Sequence, residues 1–164
     1  MSRAAGAGLA VEVRRATIDD PLAGPLLQGL TEEYVGRYGE AGRTEMTRYP
    51  QDAFAEPAGV LLLLLEEGEP VAGGAYKRYD ARTAEVKRMW THSAHRRRGL
   101  ARRVLAELES AAAAVGYTRI FLTTGPLQPE ARGLYLATGY TPLFDLAADP
   151  LTIGKLPFEK HLPS

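Results

Sequence analysis

Three arginines and a glycine, Arg96-Arg97-Arg98-Gly99-Leu100-Ala101, stand between a strand-like stretch and a long helix-like one. That junction suits a phosphate. The opening turn of a helix carries backbone N–H groups without partners and the positive end of the helix dipole. Gly99 lets the backbone approach closely, and Ala101 keeps the approach open. Guanidinium groups add charge-assisted hydrogen bonds to phosphate oxygens. The plainer reading of the same residues is a basic turn leading into an ordinary surface helix. A Walker loop is excluded because no Gly-Lys-Ser/Thr follows, and a dinucleotide fingerprint because only one glycine is present. His92 and His95 lie three apart just before the arginines. With no third ligand evident they read as loop histidines, and no metal site is expected.

Two further residues carry titratable groups that could move protons. Glu85 opens a strand-like run and is either a general base, acting through a water, or a surface carboxylate. Tyr135 stands at helical spacing among apolar residues and by that spacing alone reads as a packing aromatic. Thr123 and Thr124 either line a site or fill a strand. The chain has no cysteine, which excludes disulfides, thiolate metal ligation and a cysteine nucleophile. Any acyl transfer would then use another nucleophile or go directly to the acceptor.

The elements that must position these groups follow from periodicity. The chain has 164 residues, 45% of them hydrophobic, which suits one domain with one core. Alternation from Leu9 to Arg15 predicts an opening strand. Leu22, Leu26, Leu27 and Leu30 recur at helical spacing after Pro21, a second short helix is expected from Thr31 to Tyr38, and residues 40–58 read as loop. Val60 to Glu66, Val71 to Lys77 and Glu85 to Thr91 form an antiparallel meander, and the unbroken apolar run of the first implies cover on both faces. A helix follows from Gly99 to Val115, stopped by Gly116, then a strand from Ile120 to Thr123 and a helix from Pro129 to Ala137. Tyr140 to Phe144 and Lys155 to His161 close the chain as a strand pair. Residues 1–8 read as a disordered tail and 9–164 as the domain. The longest apolar run, Val60 to Leu65, is too short to cross a membrane, and the cytoplasm is the default location.

Two motifs within this order resemble the GNAT (GCN5-related) N-acetyltransferase superfamily. One is Arg-x-x-Gly-x-Ala preceded by Glu85-Val86-Lys87-Arg88-Met89-Trp90-Thr91. The other is Gln128-x-x-Ala131-x-x-Leu134-Tyr135-x-x-x-Gly139-Tyr140, where Gln128 replaces the family's usual asparagine. The resemblance implies an α+β fold: a mixed, mostly antiparallel sheet of six to seven strands with about four helices and splayed central strands. It implies acetyl-CoA as acetyl donor. The donor's pantetheine arm would lie along the main chain of Met89-Trp90-Thr91, near Gln128. Its pyrophosphate would lie on the amides and guanidinium groups of Arg96, Arg97, Arg98, Gly99, Ala101 and Arg102. Tyr135 would stand near the sulfur, and Glu85 would be the base.

The expected activity is transfer of acetyl from acetyl-CoA directly to a primary amine, small-molecule or peptide. A sensor domain that binds acyl-CoA without turnover is the alternative. Nucleic-acid binding through His95 to Arg98, Arg102 and Arg103 runs against a formal charge of zero, from 20 basic and 20 acidic residues. The acceptor wall is expected among Glu32, Glu33, Tyr34, Tyr38, Glu40, Glu45 and the loop 145–149, acidic and aromatic side chains that suit a cationic amine. The resemblance also implies a homodimer as one assembly, and no membrane partner is expected.

Overall fold

The computed structural model describes residues 10–47 and 51–163, so the expected tail at 1–8 and the first residue of the expected opening strand, Leu9, lie outside the described residues. One seven-stranded sheet in the order β1-β2-β3-β4-β5-β7-β6 organises the chain: β1 (Val11–Ala16), β2 (Val60–Glu66), β3 (Glu69–Asp80), β4 (Thr83–Thr91), β5 (Arg119–Thr124), β6 (Thr141–Pro142) and β7 (Leu156–His161). All neighbours are antiparallel except β4 and β5. The expected mixed, mostly antiparallel sheet is therefore present.

The leucine run of β2 divides its side chains between two cores, as strand alternation requires. Leu61, Leu63 and Leu65 join one core with Leu26, Leu30 and Trp90, and Val60, Leu62 and Leu64 join the other with Val104, Leu105 and Leu108. Helix α1 (Gly24–Tyr38) covers the first face and α3 (Leu100–Ala114) the second. Helices α2 (Glu40–Thr47), α4 (Pro129–Ala137) and the four-residue α5 (Pro150–Ile153) complete the fold.

The structure corrects the sequence reading in three places. The helix break expected at Thr31 is absent: its hydroxyl donates to the Leu27 carbonyl at 2.8 Å, so the polar side chain is satisfied inside a continuous α1. Residues 40–47, read as loop, form α2. Gly39, at φ 64°, ends α1, and Gly42 lets α2 pack so close that a Cβ there would stand 2.2 Å from the Tyr34 carbonyl oxygen. That contact comes from missing side-chain bulk, which leaves no apolar stripe to read. The strand expected over Tyr140 to Phe144 shortens to Thr141–Pro142 at the sheet edge, where proline's missing N–H is tolerated.

The feature that shapes the site lies in β4. Gly73 opposes Trp90 and Ala75 opposes Lys87, so Gly74 alone faces both Arg88 and Met89. Arg88 sits in this bulge at φ 63°. The parallel pairing of β4 with β5 runs only from Thr83↔Arg119 to Glu85↔Phe121. Beyond it both strands continue, to Thr91 and Thr124, with no ladder between them. The expected splay is thus a wedge with Glu85 at its apex.

Candidate active site

At one end of the wedge, the turn from β4 into α3 is a set of unclaimed amides. Gly99 is the N-cap of α3, at φ 75° and ψ 15°, and makes no side-chain cap. Arg97 is also left-handed, at φ 66°. The first amide of the segment with a backbone acceptor is that of Arg103, which donates to the Gly99 carbonyl at 3.1 Å. No described residue accepts from the amides of Arg97 to Arg102. Successive N–H groups gathered by left-handed residues at a helix start form an anion-binding concavity. Arg96, Arg97 and Arg102 are exposed around it.

Arg98 behaves differently. Its guanidinium is bidentate to Glu66 at the end of β2 and lies 2.6 Å from His95 Nδ1. The hydrogen bond from Arg98 also holds the Glu66 carboxyl below the ordinary carboxylate range. Only the main chain of Arg98 therefore faces the concavity, while its side chain ties the turn to the sheet. His92 accepts from the Ala94 amide through Nδ1 at 3.0 Å and so caps the short 3-10 turn Ser93–His95.

At the other end, a cavity of about 290 Å³ opens between the α1–α2 pair and the diverging strands. Tyr34, Tyr38 and Glu45 border it from the helices, Lys87 and Arg88 from β4, and Thr123 and Thr124 from β5. Both threonines thus line the gap. Of the expected acidic wall only Glu45 is here; Glu32 and Glu33 border a second hollow of about 540 Å³ beside Trp90, Thr91, His92 and Arg96.

The bulge explains why Lys87 and Arg88, consecutive in sequence, both turn toward α2. Lys87 Nζ meets Glu45 at 3.0 Å, while Arg88 donates to the Met46 carbonyl at 3.1 Å and lies over the Phe54 ring. After the bulge, Met89 packs between Gly74 and α3, and Trp90 packs on α1, where a Cβ on Gly29 would stand 2.4 Å from its ring nitrogen. The main chain of Met89 to Thr91 is left along the unpaired edge of the wedge.

Glu85 is buried and paired with Lys77 at 3.2 Å and Lys87 at 3.7 Å. It lies one ion pair behind the cavity wall, joined through Lys87 to Glu45. Burial opposes ionisation of Glu45, but Lys87 and Lys155 outweigh it and hold the carboxyl below its usual range.

Tyr135 is buried against Tyr140 and Phe158, with ring centroids 5.7 and 5.6 Å away. Packing is therefore real, but its hydroxyl has no hydrogen-bond partner among the described residues. Burial, and then the phenol of Tyr34, push its pKa well above the usual 10.0. Gln128 closes the wall: its carbonyl accepts from the Gly125 amide at 3.0 Å and from the Tyr38 hydroxyl at 3.3 Å, and that hydroxyl accepts from the Leu127 amide at 3.1 Å. Sequence patterning offered no signal for Arg88, Lys87 or Lys155 in the wall, because a bulge and a four-residue helix place them.

The sheet is thus split, with an open amide turn at one end of the split and a half-open cavity at the other. The chain belongs to the acetyltransferase (GNAT) family, whose model matches residues 27–140. It is 38% identical over 93 residues to the uncharacterized N-acetyltransferase YsnE of Bacillus subtilis (strain 168), a stretch covering 53% of this chain and 62% of that protein. The match thus spans less than two thirds of the relative's length. Among solved structures, an acetyltransferase from Streptococcus agalactiae 2603 superposes with a TM-score of 0.71 at 20% identity, covering 93% of this chain and 98% of that one. The PaiA N-acetyltransferase from Thermoplasma acidophilum, in complex with coenzyme A, gives 0.73 at 15% identity, covering 93% and 99%. Aminoglycoside 6'-acetyltransferase type Ii gives 0.70 at 19% identity, also covering 93% and 99%. These likenesses establish the fold.

The clamp from α1 to the loop before α4 is testable by itself. Tyr38→Phe removes one hydroxyl with two partners and should lower stability by about 0.5–1.5 kcal/mol. Urea denaturation reads this directly, and an unchanged midpoint and slope would show that the hydroxyl does not hold the loop.

Proposed function

We propose that this chain is an N-acetyltransferase that moves the acetyl group of acetyl-CoA directly to a primary amine held in the cavity. The observation that carries the reading is the wedge, with unclaimed amides at one end and a half-open cavity at the other. The coenzyme A complex of the PaiA protein, which has the same fold, supports the choice of ligand. The amides of Arg97 to Ala101, with Arg96 and Arg102, hold the pyrophosphate. The main chain of Met89 to Thr91 supplies the edge along which the pantetheine arm lies, and Trp90 fixes that edge by packing on α1. Gln128 has its carbonyl engaged by Gly125 and Tyr38 and hydrogen-bonds Tyr34 as well, so its part is to shape the wall beside the arm.

Acetyl-CoA supplies an activated thioester; a C–N bond forms, a C–S bond breaks, one proton leaves nitrogen and one ends on sulfur. We assign Tyr135, whose hydroxyl has no partner among the described residues, to the departing sulfur, which takes its proton from water. The raised pKa of Tyr135 makes it a hydrogen-bond donor across the working pH range. It also makes complete proton transfer to a thiolate of pKa about 8.5 uphill, so Tyr135 acts by donating a hydrogen bond to the departing sulfur. Glu85 takes up the amine's proton through a water or through the Lys87–Glu45 bridge. Among the described residues no helix is long and apolar enough to cross a membrane. The absence of any net basic excess agrees with an enzyme that does not bind nucleic acid.

Gly99→Glu should weaken acetyl-CoA binding at least 100-fold, about 2.7 kcal/mol, by facing a carboxylate to the pyrophosphate. Gly99→Asn, which tolerates the left-handed backbone, should retain binding. Calorimetry separates the two, and native affinity in the glutamate variant would remove the pyrophosphate from this turn. Tyr135→Phe should lower kcat roughly 100-fold with little change in acetyl-CoA affinity. Because a raised tyrosine pKa keeps the donor protonated, the wild-type rate should climb as the acceptor amine loses its proton and show no tyrosine-dependent fall below pH 10. A falling limb below pH 10 that disappears in Tyr135→Phe would contradict the assignment.

A further inference from the structure

We propose that the acceptor amine also bears a carboxylate, so that the cavity takes a small molecule of the amino-acid class rather than a polyamine or other polycation. This rests on the acetyltransferase reading above and narrows it.

The charge on the wall carries the inference. Lys87, Arg88 and Lys155 border the cavity, and Glu45 is the carboxylate that borders it with them. Glu45 is already shared between Lys87 at 3.0 Å and Lys155 at 3.3 Å. The layer behind does not reverse the balance, since Glu85 there is shared between Lys77 and Lys87. Among the described residues of the wall and the layer behind it, four cations, Lys77, Lys87, Arg88 and Lys155, thus stand against two carboxylates, Glu45 and Glu85. On α1, Glu33 is offset by Arg37 at 3.3 Å, and Glu32 and Glu33 border the other hollow. A polycation entering this cavity would meet an excess of its own sign, whereas a carboxylate would meet the opposite one.

The backbone sustains the excess at a cost. Arg88 holds a left-handed conformation that a non-glycine side chain rarely adopts, and this bulge is what turns it to the same side as Lys87. A straight strand would send one of the two to the opposite face. The volume of about 290 Å³ suits a molecule of amino-acid size, and the rings of Tyr34 and Tyr38, edge to face at 6.4 Å, offer an apolar wall for its remaining atoms.

The test uses matched acceptors with the full chain. Acetyl-CoA affinity is measured first by calorimetry. Thiol release is then followed with phenylalanine against phenethylamine, leucine against isopentylamine, and spermidine as polycation. The carboxylate-bearing member of each pair should have kcat/KM at least about tenfold higher. Lys155→Glu should narrow that ratio by raising KM for the carboxylate-bearing member, with acetyl-CoA affinity retained. Equal or better turnover of the decarboxylated amines or of spermidine, or no turnover of any carboxylate-bearing amine by a chain that binds acetyl-CoA, would overturn the proposal. Failure to bind acetyl-CoA at all would instead remove the acetyltransferase reading beneath it.

Discussion

Everything at the site depends on one interruption: β4 stops pairing with β5 after Glu85. Two parallel strands that continue side by side normally satisfy each other's amides and carbonyls, because unpaired backbone groups away from water are costly. Here the bulge at Arg88 inserts an extra residue into β4 and bends it away from β5. The backbone of β4 is then free on one edge, and an extended ligand can take the place of the missing strand. The same bulge sends Lys87 and Arg88 to one side, so the wedge and the charge of its wall have a common origin.

The rest of the molecule holds that interruption open. On one face, α1 and Trp90 brace the far end of β4. On the other, α3 packs Val104 and Leu108 beneath Met89 and Gly74, where a side chain at 74 would collide with the methionine sulfur. The turn between β4 and α3 is kept in shape by Arg98 gripping Glu66, which leaves the amides themselves unclaimed. The opposite wall is pinned by Tyr38 and Gln128. The ends of the wedge are therefore held by these contacts, while the open edge of β4 and the amides of the turn carry unused hydrogen-bonding capacity.

Much of this was legible in the sequence, for identifiable reasons. Long apolar periodicities gave β2, α3 and α4, since burying one face of a helix or both faces of a strand leaves a mark on every turn. The arginine-glycine turn was legible because a small residue and guanidinium groups at a helix start form a local pattern. What stayed hidden depends on contacts between distant segments. The pairing of α2 with α1 relies on the smallness of Gly42, which no periodicity reports. Arg88 was hidden because nothing local marks a left-handed arginine, and the cavity's charge was misjudged with it. Glu85 was legible as a carboxylate of the central strand, and Lys87 two residues on shares its face, but Lys77 reaches it from the neighbouring strand β3.

The central claim is that the break between β4 and β5 is a binding slot. A crystal structure of the chain with acetyl-CoA tests it most directly. The account predicts pyrophosphate oxygens accepting from amides between Arg97 and Arg102, and a thioester arm running between β4 and β5 toward Tyr135. Acetyl-CoA bound elsewhere on the surface, with the two strands drawn together and their edges paired, would contradict it.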